Sequence, residues 1–190
     1  MTTVYFIRHA ESDLSVRDEC SRPLTEKGLN DRALVTEFLS DKNIDVILSS
    51  PYKRAMNTIH DFADRINLPI RIIDDFRERK VDTFWNDDFW SFSEKQWADF
   101  SYKMPGGECL AEVQERNIAA LNRAIEQYRD KNIAVGTHGT ALSTIINYYD
   151  PSYNFDNFMA MVNIMPWAVI MDFDENGCAG MKKIDLFHMI

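Results

Sequence analysis

Short, unbroken apolar runs alternate along this chain with longer stretches in which apolar residues recur at helical spacing. Val4 to Ile7, Val46 to Leu48 and Ile133 to Val135 are continuous and rich in β-formers, as strands buried on both faces of a parallel sheet are. Between them, Thr25 to Leu39 opens on Thr25 and Glu26 and carries Leu29, Ala33, Leu34 and Phe38 as its apolar side, with Asn43 as a stop. Pro51 suits the first position of a second helix reaching about Ile66, with Ala55, Ile59, Phe62, Ala63 and Ile66 facing inward. A third helix is predicted over Glu108 to Arg129 on Leu110, Val113, Ile118, Leu121 and Ile125, and a fourth over Ala141 to Tyr148. Ile70 to Ile73 is a further apolar segment. Two last strands, Ala168 to Phe173 and about Met181 to Phe187, flank the turn signal Asp174-Glu175-Asn176-Gly177. The alternation predicts an α/β fold, a three-layer α/β/α sandwich with a mostly parallel central sheet and an antiparallel hairpin near the end.

Residues 84–102 break the pattern with Phe84, Trp85, Phe89, Trp90, Phe92, Trp97, Phe100 and Tyr102. They read as an aromatic insertion or cap, at about 81–104, on a single domain spanning 1–190. A chain of 190 residues, 45% hydrophobic, has enough material for one core without disulfides or metals. Cys20, Cys109 and Cys178 are odd in number and without C-x-x-C spacing, which suggests a reducing compartment. No apolar run has the length of a signal peptide or a membrane span, so a cytoplasmic protein without a membrane partner is expected. With 21 Lys and Arg against 30 Asp and Glu, the formal charge is −9 and nucleic acid is an unsuitable partner. Any anionic substrate must then be held by a few cations placed locally.

Ligands of open α/β sheets bind beyond the carboxyl ends of the strands. There the first run ends in Arg8-His9, the second in Ser49-Ser50-Pro51 with Arg54 on the next turn, and the Ile133 run in Thr137-His138-Gly139. Glu78 follows the Ile70 segment. Singly, each has a structural reading: a hydrogen-bonded histidine, a helix-surface Arg54, a Glu78 belonging to a solvated charge run. Jointly, two of only four histidines with two arginines and a carboxylate suit phosphoryl transfer, whose spread negative charge is stabilised by cationic donors. Arginine forks bind two phosphate oxygens and also keep a neighbouring imidazole unprotonated, as a nucleophile must be. No H-x-x-x-H, H-E-x-x-H or G-x-S-x-G pattern occurs, so neither a catalytic metal, another cofactor nor a serine nucleophile is expected.

These residues, with Phe6-Ile7-Arg8-His9-Ala10-Glu11-Ser12, Pro23-Leu24-Thr25-Glu26-Lys27-Gly28, Ser49-Ser50-Pro51-Tyr52-Lys53-Arg54-Ala55 with Thr58, Pro105-Gly106-Gly107-Glu108 and Gly136-Thr137-His138-Gly139, resemble the histidine phosphatase superfamily, in its phosphoglycerate mutase-like branch. The resemblance implies that His9 is the phosphorylated nucleophile, that Arg8, Arg54 and His138 surround the phosphate, and that Glu78 is the proton donor and acceptor. Ser15, Thr137 and Gly139 complete the candidate substrate-binding set. Ala10 stands where the family usually has glycine, Ser15 where asparagine often assists phosphate binding, and Cys109 where serine is common. After Arg79, Lys80-Val81-Asp82 and the aromatic segment replace the family's glycine and Trp-Glu-Gly.

The family passes phosphate either between two hydroxyls of a bound substrate or to water. A mutase needs extra segments to exclude water, and the short chain therefore favours a phosphomonoesterase acting on a small phosphorylated molecule. The alternatives are phosphoglycerate mutase-type transfer and a phosphate-binding or interaction module without catalysis. The aromatic segment could cap the site, pack as a satellite core or form a homodimer contact.

Overall fold

The computed structural model describes residues 1–82 and 88–188. Its sheet has six strands: β1 (Thr2–Arg8), β2 (Val46–Ser49), β3 (Ile70–Ile72), β4 (Asn132–Thr137), β5 (Trp167–Asp174) and β6 (Gly177–Ile184), in the order β3-β2-β4-β1-β5-β6. The first four in that order pair in parallel, while β5 runs antiparallel to β1 and forms a hairpin with β6. The sheet is thus mixed, and its parallel half brings the carboxyl ends of β1, β2 and β4 together.

Helices cover both faces: α1 (Glu26–Leu39) and α2 (Lys53–Ile66) on one, and α4 (Leu110–Gln127), α5 (Gly139–Tyr149) and α6 (Phe155–Met161) on the other, with α3 (Phe89–Ala98) beyond them. Period-two alternation in β1 sends Val4 and Phe6 into the α4–α6 core, and Tyr5 and Ile7 into the α1–α2 core. Each fully buried side chain such as Phe6 or Ile7 contributes roughly 1.5–3 kcal/mol.

Several boundaries and faces differ from those the pattern predicts. In α1 the buried residues are Gly28, Val35, Phe38 and Leu39, whereas Leu29 and Ala33 are exposed. The cause is tertiary: Thr25 caps the Gly28 amide and also donates to the Glu11 carboxylate, which turns that line of the helix inward. Helix α2 begins at Lys53, after Tyr52, because the Ser50 hydroxyl accepts from the Tyr52 amide and holds the preceding turn. Helix α4 begins at Leu110, since the Glu112 carboxylate closes a capping box on Cys109. Helix α5 starts two residues early, directly after His138. Strand β6 starts at Gly177, whose φ of 114° suits the tight turn, and ends before Phe187. Helix α6 is unpredicted, although Asn154 and Asn157 form a capping box at its start.

The aromatic segment is in part a satellite core. Trp97 on α3 packs against Tyr153 and Phe158, with ring centroids 6.0 and 5.8 Å away. The fully buried Gln96 donates to the carbonyls of Tyr102 and Glu108. Phe84 and Trp85 lie outside the described residues.

Candidate active site

His9 leaves β1 at the carboxyl edge of the sheet, its amide donating to the Thr137 carbonyl of β4. Its ring Nδ1 lies 2.7 Å from the carbonyl oxygen of Ala10. A carbonyl only accepts, so Nδ1 carries the proton and Nε2 keeps its lone pair. Burial, then the charges of Arg54, Arg8 and Arg22, hold the His9 pKa well below 6.5, and the ring is neutral.

The His138 ring stands edge-on to His9, with centroids 5.3 Å apart. Its Nε2 lies 2.7 Å from Ser50 Oγ, which already accepts from the Tyr52 amide. The Ser50 hydroxyl can therefore donate to Nε2, an assignment that places the single N–H of the neutral ring on Nδ1. That Nδ1 is buried and has no partner among the described residues. Burial and then Arg54 are the leading causes that keep His138 neutral, its pKa well below the usual value.

Arg54 is 2% exposed, not a helix-surface charge. Its Nη1 donates to the Glu19 carbonyl at 2.7 Å and its Nη2 to the Glu19 carboxylate at 2.8 Å. The other carboxylate oxygen of Glu19 accepts from Arg22 Nη2 at 2.7 Å. One carboxylate is thus held between two buried guanidiniums, as a bound phosphate would be. Sequence reasoning overlooked Arg22; its signal was an arginine immediately before the Pro23-Leu24-Thr25 helix entry, where a turn packs against the nucleophile loop.

Arg8 has the parity of Val4 and Phe6, so it reaches the α6 face. Its Nη1 donates to the carbonyls of Met161 and Ile164 at 2.7 and 3.1 Å, and its Nη2 to Val162 at 2.8 Å. These are carbonyls at the α6 C-terminus and the turn after it, where a cation is favoured. The expected phosphate fork is therefore committed to backbone here, and only Nε, buried beside Gly139, lacks a partner. A side chain on Gly139 would place its Cβ 3.2 Å from that nitrogen. Burial lowers the Arg8 pKa to about 10, with Glu78 the leading charge opposing the shift.

The Glu78 carboxylate sits on the N-terminus of α5. Oε2 accepts from the Thr140 amide at 3.0 Å; Oε1 accepts from Ala141 at 3.0 Å and from Arg79 at 2.7 Å. This caps α5 from outside its own chain segment, which is why the helix starts at Gly139. The segment carrying Glu78 is clamped by Arg116 of α4, whose Nη1 donates to the carbonyls of Asp75 and Arg77 at 2.8 Å each and whose Nη2 donates to that of Glu78 at 3.2 Å. Glu108 holds Arg116 with both oxygens, at 2.8 and 2.9 Å, and accepts from the Lys80 amide. A Cβ on Gly107 would fall 2.0 Å from the Val81 carbonyl oxygen, so only glycine permits this contact. In the sequence, Arg116 is only a basic residue in an amphipathic helix.

Among the remaining predicted positions, Thr137 is fully buried and donates to the Phe76 carbonyl at 3.3 Å, joining β4 to the Glu78 segment. Gly139 opens α5 beside Arg8. Ser15 is not drawn to the cluster: it is exposed, and its amide and hydroxyl both donate to Asp13. His60 and His188 stand apart and exposed, beside Asp64 and Asp185. Cys109 is a buried free thiol at the start of α4. No helix among the described residues is long and apolar enough to cross a membrane.

The profile described as the histidine phosphatase superfamily (branch 1) matches residues 4–178. The curated relative "Uncharacterized phosphatase PhoE" of Bacillus subtilis is 29% identical over 152 residues, 77% of this chain and 76% of that one. "Probable phosphoglycerate mutase GpmB" of Yersinia pestis is 26% identical over 159 residues, 77% of this chain and 74% of that one. Among solved structures, a mutant phosphoserine phosphatase from Entamoeba histolytica in complex with phosphoserine superposes with a TM-score of 0.78 at 19% identity, covering 100% of both chains. This last likeness establishes the shared fold.

Proposed function

Because the chain belongs to branch 1 of the histidine phosphatase superfamily, we propose that it is a phosphomonoesterase that hydrolyses a small phosphorylated metabolite through a phosphoryl group carried on His9. The observation that carries this reading is the Nδ1 contact to Ala10, which leaves His9 Nε2 as a lone-pair nucleophile among guanidiniums. Nε2 attacks phosphorus and the bond to the leaving oxygen breaks, with Glu78 supplying the proton to that oxygen. Arg54 and Arg22 bind the phosphoryl oxygens once Glu19 has yielded its place, and His138 Nδ1–H donates to another. Arg8 adds its charge from below through Nε. Water then attacks the phosphohistidine, giving its proton to Glu78, and the P–N bond breaks to release phosphate and neutral His9. Thr137 and Gly139 support this site through backbone placement. The three free cysteines support action in a reducing compartment such as the cytoplasm.

Phenyl phosphate turned over in the presence of a chelator, with rapid quenching at alkaline pH, tests the reading. An acid-labile phosphoryl adduct on His9, and loss of at least a thousandfold in kcat in His9→Asn, are expected. Label on another residue would overturn it, as would binding without turnover. With 3-phosphoglycerate, release of free phosphate rather than interconversion of isomers separates hydrolysis from mutase transfer.

A further inference from the structure

Four charged side chains are buried among the described residues, and all four are arginines: Arg8, Arg22, Arg54 and Arg79. Buried charges persist where anions pair with them, because removing an unpaired ion from water costs several kcal/mol. Arg22 and Arg54 share Glu19, and Arg8 holds helix-end carbonyls. Arg79 is different. It follows Glu78 directly, its Nη1 donates at 2.5 Å to the neutral Gln96 Oε1, and it lies over the Phe89 and Phe92 rings at 5.4 and 5.1 Å. Among the described residues no carboxylate lies within ion-pair distance of it, and its Nε is buried without a partner.

We infer that Arg79 reads a second anionic group, of carboxylate type, on the leaving portion of the substrate. Position supports this, since Glu78 marks where the leaving oxygen must lie if the proposed function holds, and Arg79 is its chain neighbour, packed along α3. Charge supports it as well. A phosphate dianion that displaces Glu19 brings two negative charges, and an ionised Glu78 a third, against the four guanidiniums. With Glu78 protonated, as a proton donor must be, the excess of positive charge is two. A carboxylate on the substrate lowers that excess to one. The pull of Glu78 and then Glu19 against the burial that lowers the Arg79 pKa shows that this guanidinium lies within the field of the same site. The cation–π contacts to α3 hold it in place, so a substrate meets a fork already oriented.

The inference rests on the proposed function, and a binding measurement separates the two. Titration calorimetry on the non-turning His9→Asn protein compares 3-phosphoglycerate with 3-phosphoglyceramide, which share the phosphate and differ by one charge. The acid is expected to bind at least tenfold more tightly, a ratio that falls to near unity in His9→Asn/Arg79→Met and recovers in part in His9→Asn/Arg79→Lys. A ratio near unity in the His9→Asn protein overturns the inference without recourse to any Arg79 variant. An unchanged ratio in the Arg79→Met protein, with both ligands weakened alike, also overturns it and leaves Arg79 a structural link to α3. Failure of phenyl phosphate turnover by the wild-type protein would instead count against the phosphatase reading, and the binding ratio would still decide the role of Arg79.

Discussion

The Glu19 carboxylate lies where the proposed chemistry needs a phosphate, bonded at once to Arg54 and Arg22. Substrate and Glu19 therefore compete for the same donors, and the competition lowers apparent affinity by the fraction of molecules in which Glu19 is seated. Glu19→Gln removes the charge but keeps the size, and its KM for phenyl phosphate should fall about tenfold, or ~1.4 kcal/mol, with inorganic phosphate inhibiting more tightly by a similar factor. A steady-state comparison with phosphate inhibition checks this, and an unchanged or higher KM would remove Glu19 from competition. At this scale the sequence was legible where a residue's role follows from the strand it ends. His9 and His138 follow apolar runs, and a parallel sheet brings such ends together. It was less legible for arginines, whose long side chains travel far from their backbone. Arg8 carried a visible clue, the parity it shares with Val4 and Phe6, which sends it toward α6. Arg22 carried only its place before a helix entry.

Glu78 is held by elements more than by neighbours in sequence: its two oxygens cap α5 while its backbone is clamped from α4. A proton donor must stay aligned with the leaving oxygen, and misplacement by about 1 Å is enough to lose on the order of a hundredfold in rate. Arg116→Ala should therefore leave phosphate binding intact yet lower kcat about 10- to 100-fold for alkyl phosphates and much less for aryl phosphates, whose leaving groups need little protonation. Arg116→Lys should not restore it, because a single ammonium cannot serve three carbonyls and a bidentate Glu108 together. A plot of kcat against leaving-group pKa, steeper in the variant, is the readout, and parallel losses on both substrate types would refute the clamp. The same cross-element contacts explain which elements the pattern misplaced. Helix α5 starts early because of the Glu78 carboxylate, 62 residues before the Thr140 amide that donates to it, and α1 turns its Gly28 line inward because of Glu11. Runs such as β1 and β4, buried on both faces, needed no such partner and were read directly.

In the molecule as a whole, a chain of net charge −9 concentrates its buried charge as arginine around two neutral histidines. That arrangement ties stability to pH. His9 and His138 have pKa values well below 6.5 in the fold, whereas in the unfolded chain they titrate near 6.5. Above that pH both states are neutral at these positions and no proton is exchanged. As pH falls through 6.5 the unfolded chain binds protons that the fold refuses, so stability decreases. The limit is about 1.4 kcal/mol per pH unit for each histidine. Urea midpoints for the wild-type protein should be nearly level from pH 8 to 7 and then decline between pH 6.5 and 5. The decline should be shallower in His9→Asn/His138→Asn, which lacks both groups, while exposed His60 and His188 remain in each protein. Equal slopes in the two proteins would mean that protonated imidazole is tolerated among the guanidiniums, and His9 could then not be the neutral nucleophile on which the proposed reaction depends.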